Sequence, residues 1–236
     1  DYGHMARFQD HLENLDAFRE QVVQDFPGQP LVLVGHSMGG LISACYLPQH
    51  QAHFAACVLS GPAIKTELEP GFVQTTLIRL LSVLAPRMGV LQLDAAGVSR
   101  DAAVVGAYRQ DPLVNHGKMS ARFVSELFNA MGRIQAAAAT IELPLLIMHG
   151  ESDVMTAPSG SQFLHDGVSS PDTTLKLYPG LYHESFNEPE RDPEVGMGRA
   201  GIYAWYDPVV GRVEPGSPAD IAGIRAGDLI LSINRQ

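Results

Sequence analysis

The fold is decided by one stretch of the sequence, Leu31-Val32-Leu33-Val34-Gly35-His36-Ser37-Met38-Gly39-Gly40. It begins as a short, apolar, valine-rich run typical of a buried strand, and apolar residues then recur at helical spacing until Pro48. A G-x-S-x-G pattern between a strand and a helix predicts a sharp, strained turn that lifts the hydroxyl of Ser37 clear of a sheet. We expect Gly35 and Gly39 to be required, because any side chain would collide across so tight a turn.

The two neighbours of Ser37 complete this predicted nucleophile elbow. The backbone N–H of Met38 is expected to point to the place where an oxyanion would form on an attacked carbonyl group. His36 is expected to orient or pack beside the nucleophile. The alternative is a glycine-rich strand–helix junction with an incidental serine, but the strand, the glycines and the helix together favour the nucleophile.

The composition is that of an ordinary globular chain. Of the 236 residues 45% are apolar, and the mean hydropathy is near zero, so the chain can bury a full core. The net charge is −10 and the 16 Lys and Arg residues are scattered singly, which argues against nucleic acid as a partner. No apolar run reaches membrane-spanning length. Cys45 and Cys57 suggest neither a disulfide framework nor a metal site.

Strand and helix signals alternate along most of the chain. An apolar stripe over residues 8–26 predicts a helix, and strand signals follow at residues 31–34, 55–60, 145–148 and 174–178. A further short helix is expected near residues 159–166. Because strand–helix–strand alternation implies right-handed crossovers, we predict an α/β fold built on a parallel sheet.

The strand signal disappears between the second and third of these strands. We expect an all-helical cap over about residues 62–140, inserted above the C-terminal edge of the sheet, with helices near residues 77–84, 101–109 and 120–131. Most of the cap leucines, such as Leu77, Leu80 and Leu84, are expected to pack between helices.

Two titratable residues follow successive predicted strands. A serine hydroxyl needs an imidazole to take its proton and a carboxylate to orient that imidazole, and in a parallel sheet such groups lie at the C-terminal strand ends. Asp153 comes just after the strand at residues 145–148, and His183 comes just after the strand at residues 174–178. The order Ser37, Asp153, His183 is that of α/β-hydrolases, so these three are the predicted catalytic residues.

Other titratable residues near the strand ends are weaker candidates. Glu151 shares a loop with Asp153 and is expected to face solvent or to support the site from behind. Asp172 precedes its strand and therefore lies at the wrong end of the sheet. His149 is most simply a packed residue at a strand end.

Several stretches resemble the monoacylglycerol lipase and lysophospholipase branch of the α/β-hydrolases, over about residues 4–190. They are residues 26–30, 35–40, 59–63, 111–114, 118–122, 143–146, 149–153 and 177–184. Asp111-Pro112-Leu113 in the cap and the Tyr-Pro-Gly-Leu-Tyr-His run that ends at His183 are narrower signatures than the elbow. The resemblance implies a serine esterase that acts on single-chain acyl esters, with the three predicted catalytic residues as its triad.

The chain departs from the family pattern ahead of the elbow. The resemblance implies several strands there, together with a His-Gly loop that supplies a second oxyanion donor, and residues 1–36 contain no counterpart of those strands or of that loop. We therefore expect a sheet that lacks its N-terminal strands and leaves an apolar, unpaired edge on the elbow strand. The oxyanion hole would keep only the Met38 donor, and the loss of one donor can cost roughly 100–1000-fold in turnover.

The sequence changes character after residues 187–194, a charged, proline-containing stretch that we interpret as a linker. Residues 213–219, 222–230 and 233–234 resemble the first half of a bacterial protease-type PDZ domain. The expected division is a hydrolase domain over residues 1–192 and a partial PDZ-like segment over residues 193–236. This segment is too short to bind a peptide and is expected to be loose or to dock on the main domain.

The expected reaction is hydrolysis of a monoacylglycerol or lysophospholipid ester through an acyl-enzyme, without a metal or an organic cofactor. An acyltransferase or thioesterase on the same triad and a non-catalytic interaction module are the alternatives. The expected partners are a small acyl ester or lipid, no nucleic acid, and a membrane or micelle that the cap contacts transiently. The hydrolase part suggests a cytoplasmic location, whereas the PDZ-like segment suggests the cell envelope.

Overall fold

The structure, a computed structural model, describes residues 3–66, 71–191, 202–204, 210–213, 215 and 230–233. The helices are α1 (Gln9–Asp25), α2 (Met38–His50), α3 (Phe72–Leu84), α4 (Ala102–Gln110), α5 (Ala121–Ala137) and α6 (Pro158–Gly167). The strands are β1 (Val32–His36), β2 (Ala56–Ser60), β3 (Gly89–Leu91), β4 (Met119–Ser120), β5 (Leu145–Gly150), β6 (Thr173–Tyr178), β7 (Ile202–Ala204), β8 (Val210–Val213) and β9 (Ile230–Ile233). None of the described helices combines the length and apolarity needed to cross a membrane.

A five-stranded sheet forms the centre of the molecule, in the order β6-β5-β2-β1-β9. All its neighbouring strands run parallel, with Val32 beside Ala56, Cys57 beside Leu145, and Leu145 beside Thr173. The predicted parallel α/β architecture is therefore confirmed. Because the strands are parallel, the loops after β1, β5 and β6 emerge at one edge, and this edge carries the predicted catalytic residues.

The expectation of an unpaired edge on the elbow strand is wrong. Strand β9 pairs in parallel with β1, which places Val32 beside Ile230 and Gly35 beside Ile233. Strand β9 lies in the PDZ-like segment, so this segment docks on the hydrolase sheet, which is one of the two outcomes expected for it. The described remainder of the segment includes an antiparallel pair of β7 and β8. The prediction about peptide binding falls mainly on residues outside the described ranges.

The two faces of the sheet bury alternate side chains, as the period of a strand requires. Leu33, Cys57 and Ile147 are fully buried on the face that packs against the larger cluster of helices. The predicted apolar stripe over residues 8–26 is only partly buried, because Phe18 on α1 is 47% exposed and Phe26, which follows the helix, is 46% exposed.

The cap is not all-helical, because β3 and β4 form a short antiparallel pair beside its three helices. Helix α3 packs against α5. Its outer face is uncovered, with Leu77 51%, Leu80 53% and Leu84 72% exposed, so the expectation that these leucines pack between helices is wrong. A single packing partner can cover only one side of a helix whose apolar residues surround its axis.

Candidate active site

Ser37 lies on a strained turn between β1 and α2. Its φ is 55° and its ψ is −122°, and it is the only residue other than glycine with a positive φ in the described part of the chain. The turn is held against the end of β2, because the backbone N–H of Ser37 donates to the carbonyl oxygen of Ser60 at 3.0 Å. The N–H of Ala63 in turn donates to the carbonyl oxygen of Ser37 at 3.1 Å. Strain of this kind persists only where the surrounding structure enforces it.

The glycines of the elbow allow its parts to approach closely. A Cβ on Gly35 would lie 2.5 Å from the hydroxyl oxygen of Ser43 and 2.6 Å from the carbonyl oxygen of Gly39, as the sequence predicted for a crowded turn. Gly40 is a further restricted position, since its Cβ would lie 2.7 Å from the Cβ of Pro62. Gly39 therefore contributes the backbone that a side chain on Gly35 would meet.

The structure brings Asp153 and His183 into direct contact. Asp153 follows β5, His183 follows β6, and Nδ1 of the imidazole lies 2.7 Å from Oδ2 of the carboxylate. Both residues are buried, with exposed fractions of 3% and 4%. Because a carboxylate only accepts, Nδ1 carries the proton of this bond, and Nε2 is the nitrogen that can take another proton.

Asp153 is held on both oxygens by its own loop and by its neighbours. Its Oδ1 accepts from the backbone N–H of Met155 at 2.7 Å and of Thr156 at 3.0 Å, and its Oδ2 accepts from the hydroxyl of Thr156 at 2.8 Å. Burial raises the pKa of Asp153, but hydrogen bonds from His149 and His183 outweigh that effect and hold the pKa well below its usual range. The carboxylate is therefore ionised and fixed in direction.

His149 is more than a packed residue at a strand end. Its ring is fully buried, its Nε2 lies 3.1 Å from Oδ2 of Asp153, and its Nδ1 lies 2.7 Å from the hydroxyl oxygen of Ser161 on α6. Sequence reasoning missed this contact. The available signal was the position of a histidine four residues before the candidate carboxylate, at the end of the same strand.

His36 connects the elbow with His183. The two ring centroids are 4.7 Å apart, and Nδ1 of His36 donates to the carbonyl oxygen of Ser60 at 3.0 Å. Burial, assisted by the nearby His183, lowers the pKa of His36 to about 3, so this ring is neutral near pH 7. The Ser37 side chain is half-buried, and its hydroxyl forms no hydrogen bond to any described residue, His183 included. His183 thus lies beside the residue that precedes Ser37, with the serine hydroxyl left available.

Met38 is the first residue of α2, so its backbone N–H is at the positive end of that helix, where negative charge is favoured. Its side chain lines a cavity of 630 Å³ that otherwise belongs mostly to the cap. Apolar and aromatic lining residues include Leu93, Tyr108, Leu113 and Phe123. The lining also includes polar and charged residues, among them Asp94, Arg109 and Asn115, whereas Ser37 and His183 are not part of it. The cavity therefore extends from Met38, next to the nucleophile in sequence, into the cap and is of ligand size.

The loop that carries His183 is hydrogen-bonded to the cap. The fully buried Glu188 accepts from the backbone N–H of Tyr182 at 2.9 Å and from that of Arg100 at 3.2 Å, and its second oxygen accepts from Nε of Arg100 at 2.7 Å. The backbone N–H of Glu184 donates to the carbonyl oxygen of Val98 at 2.9 Å. The interpretation of residues 187–191 as a linker is therefore wrong, and residues 192–194 lie outside the described ranges.

The weaker candidates do not join this cluster. Glu151 and Asp172 are both exposed. The backbone N–H of Glu151 donates to the carbonyl oxygen of Tyr178, and the carbonyl oxygen of Asp172 accepts from the N–H of Leu145 and from the hydroxyl of Ser170. In the described part of the chain, no group of three or more His, Cys, Asp or Glu side chains is placed to hold a metal ion.

Comparisons with known proteins match two separate parts of the chain. The family model described as serine aminopeptidase, S33, matches residues 1–190, and a model described as PDZ domain matches residues 209–236. The chain is 41% identical over 192 residues to a monoacylglycerol lipase of Mycolicibacterium smegmatis, which covers 80% of this chain and 69% of the relative. It is 32% identical over 180 residues to the monoglyceride lipase of Rattus norvegicus, which covers 76% of this chain and 59% of the relative.

A solved structure shows a similarity to the same group of lipases. The crystal structure of Paleococcus ferrophilus monoacylglycerol lipase superimposes with a TM-score of 0.71 at 28% identity, over 81% of this chain and 72% of the other. The matched part is therefore similar in sequence to all three proteins and shares its fold with the Paleococcus ferrophilus protein. The rat protein is matched over less than two thirds of its length.

Proposed function

Because the chain belongs to the serine aminopeptidase S33 family, in the monoacylglycerol lipase branch of the α/β-hydrolases, we propose that it hydrolyses carboxylic esters of single acyl chains. One observation carries the proposal: a strained serine at the end of β1 shares a sheet edge with a buried His–Asp pair joined at 2.7 Å. This arrangement supplies a nucleophile, a base and a group that orients the base.

In the proposed reaction the oxygen of Ser37 attacks the ester carbonyl carbon while Nε2 of His183 takes the hydroxyl proton. The carbonyl electron pair moves onto its oxygen, which accepts a hydrogen bond from the backbone N–H of Met38. The tetrahedral intermediate collapses to an acyl-enzyme, and His183 returns the proton to the leaving alcohol. Water then attacks the acyl-enzyme by the same route, and Asp153 stabilises the charged imidazole in both halves.

The proposed substrate is a monoacylglycerol or a lysophospholipid. The cavity beside Met38 supports an acyl chain on its apolar side, where leucine, valine and aromatic side chains lie among polar residues such as Gln92 and Asn115. The printed names of the relatives, monoacylglycerol lipase and monoglyceride lipase, favour the glycerol ester.

The test is the Ser37→Ala variant, assayed with a monoacylglycerol and with a fluorophosphonate probe. Turnover and labelling should both be lost while the fold is retained, because the variant removes only the nucleophilic oxygen. Ser152→Ala, which removes an exposed hydroxyl from the loop of Asp153, is the matched control and should keep both. Ester turnover by a pure Ser37→Ala protein would exclude Ser37 as the nucleophile.

The same assay separates the alternative reactions. The names of the relatives, which are lipases, do not favour an acyltransferase, a thioesterase or a non-catalytic module. An added alcohol acceptor that diverts the acyl group from water would indicate a transferase. A well-folded wild-type protein that the probe does not label would contradict any acyl-enzyme.

We also propose that the cap contacts a neutral lipid surface through the exposed face of α3. Val73 and Val83 are 77% and 72% exposed, Leu80 and Leu84 are 53% and 72% exposed, and the sole charged residue of the helix is Arg79. An apolar face of this kind favours insertion at a membrane interface, while the net charge of −10 disfavours anionic lipid.

Vesicle cosedimentation tests this contact. A Leu80→Gln, Leu84→Gln double variant should lose binding to phosphatidylcholine vesicles and keep its turnover of a short, water-soluble ester. Val23→Gln, at a 43% exposed valine on α1, should bind as the wild type does. Unchanged vesicle binding by the double variant would assign the contact to another surface.

A further inference from the structure

Two histidines share one oxygen of the candidate catalytic carboxylate. Oδ2 of Asp153 lies 2.7 Å from Nδ1 of His183 and 3.1 Å from Nε2 of His149. The proposed reaction uses only the first of these imidazoles. The second comes from β5, the strand that also leads into Asp153, and it is fully buried.

The hydrogen-bond partners define the protonation of His149. Its Nε2 lies 3.1 Å from Oδ2 of Asp153 and 3.2 Å from the carbonyl oxygen of Thr156, neither of which can donate, and 3.3 Å from the hydroxyl oxygen of Thr156. Nε2 must therefore carry a proton. In the neutral ring Nδ1 is then an acceptor, and the hydroxyl of Ser161, 2.7 Å away, is its donor. Ser161 is itself fully buried on α6, so the ring is held from both ends.

The remaining donors to Asp153 leave a specific task for His149. The backbone N–H groups of Met155 and Thr156 hold Oδ1. The hydroxyl of Thr156 has one proton and two acceptors in reach, Oδ2 at 2.8 Å and the carbonyl oxygen of Gly61 at 3.0 Å. When that proton goes to Gly61, His149 is the side chain besides His183 whose proton can restrain Oδ2, and it shares this proton between Oδ2 and the carbonyl oxygen of Thr156.

We propose that His149 is a positioning residue, which donates from Nε2 to Oδ2 of Asp153 and so fixes the carboxylate in the orientation that His183 requires. This inference rests on the proposed function, since it assigns a task to Asp153 and His183 in that reaction. His149 touches neither the nucleophile nor the cavity described above, and it acts only through Asp153.

The test compares two substitutions of the same residue. Gln can place an amide N–H where Nε2 of the ring lies, and Leu cannot. His149→Leu should lower kcat about tenfold to hundredfold with KM unchanged, the range that corresponds to one hydrogen bond to a charged group. His149→Gln should recover most of that loss. Ile147→Val, a buried change on the same face of β5, is the control for packing and should keep the wild-type kcat per folded molecule.

A proton resonance gives a readout that does not need catalysis. With the competing donor gone, the His183 Nδ1–H bond to Asp153 should strengthen in His149→Leu, and its low-field proton signal should move further downfield. His149→Gln should leave it near its wild-type position. A wild-type protein without esterase activity would refute the proposed function, and the resonance would still decide the role of His149.

Several results would overturn the inference. Equal kcat in folded His149→Leu and the wild type would show that Asp153 needs no restraint from this side. Equal losses in the Gln and Leu variants would show that the ring matters only for packing. Should His149→Leu fail to fold, Ser161→Ala, which frees the far end of the ring, should lower kcat by about twofold to threefold, and an unchanged kcat there would contradict the proposal.

Discussion

Replacement of His36 by glutamine should flatten the loss of stability that this protein shows as the pH falls. The side chain is half-buried beside the elbow and donates from Nδ1 to the carbonyl oxygen of Ser60 at 3.0 Å. Burial lowers the pKa of His36 to about 3 in the folded protein, against about 6.5 in an unfolded chain. Glutamine has no such titration in either state.

The sign and size of the effect follow from proton binding. Between about pH 6.5 and pH 3 the unfolded state binds a proton at His36 and the folded state does not, so acid favours unfolding throughout this window. The contribution of His36 to the free energy of unfolding is complete above pH 6.5 and declines by up to about 1.4 kcal/mol per pH unit below it. From pH 6 to pH 4 the wild type should therefore lose about 2–3 kcal/mol more than His36→Gln does.

The measurement is urea unfolding of both proteins at pH 7, 6, 5 and 4, followed by circular dichroism. All other titrating groups are common to the two proteins, including Asp153, so the difference between the two slopes isolates His36. Ile42→Val, a buried change on α2 that alters no titrating group, is the control for packing and should keep the wild-type slope. Parallel slopes for His36→Gln and the wild type would show that the folded protein accepts a proton at His36 readily, and the reasoning from burial would be refuted.

Three further outcomes are expected. Gly35→Ala should lower the free energy of unfolding in urea by about 1–3 kcal/mol, because its Cβ would lie 2.6 Å from the backbone of Gly39. Gly106→Ala on α4, where a Cβ meets open space, should raise it by about 0.5–1 kcal/mol. A Gly35→Ala protein as stable as the wild type would contradict the crowding. Glu188→Ala and Arg100→Ala should show a coupling of roughly 1–3 kcal/mol in a double-mutant cycle, and additive losses would deny their pairing. Asp153→Asn should reduce ester turnover by about 10⁴-fold at unchanged fold, and a loss below tenfold would remove it from the proposed triad.

The parts of the fold that the sequence predicted are those with local causes. A valine-rich run, two glycines and a helical repeat lie within twenty residues of Ser37, and they define the strand, the turn and the helix together. Asp153 and His183 are separated by 30 residues, yet each directly follows a strand. Parallel strands end at one edge, so their contact could be expected from strand ends alone.

The parts that were missed depend on partners far away in the chain. Glu188 lies in a charged, proline-containing stretch that resembles a solvated linker, and only its contact with Arg100, 88 residues earlier, explains its burial. The pairing of β9 with β1 likewise joins segments with no shared local pattern. The apolar residues of α3 predicted a helix correctly, but apolarity does not reveal whether a face meets another helix or remains uncovered.

The surroundings of Asp153 determine where a proton from Ser37 can go in the proposed reaction. One carboxylate compensates one positive charge, and three imidazoles lie near it, those of His36, His149 and His183. Burial keeps His36 neutral. Both nitrogens of His149 have partners, since Nε2 lies near Oδ2 of Asp153 and the carbonyl oxygen of Thr156, and Nδ1 lies near the hydroxyl of Ser161. His183 bonds to the carboxylate through Nδ1, and its Nε2 forms no hydrogen bond to another described residue. In the proposed reaction the proton from Ser37, and with it the positive charge, therefore goes to Nε2 of His183.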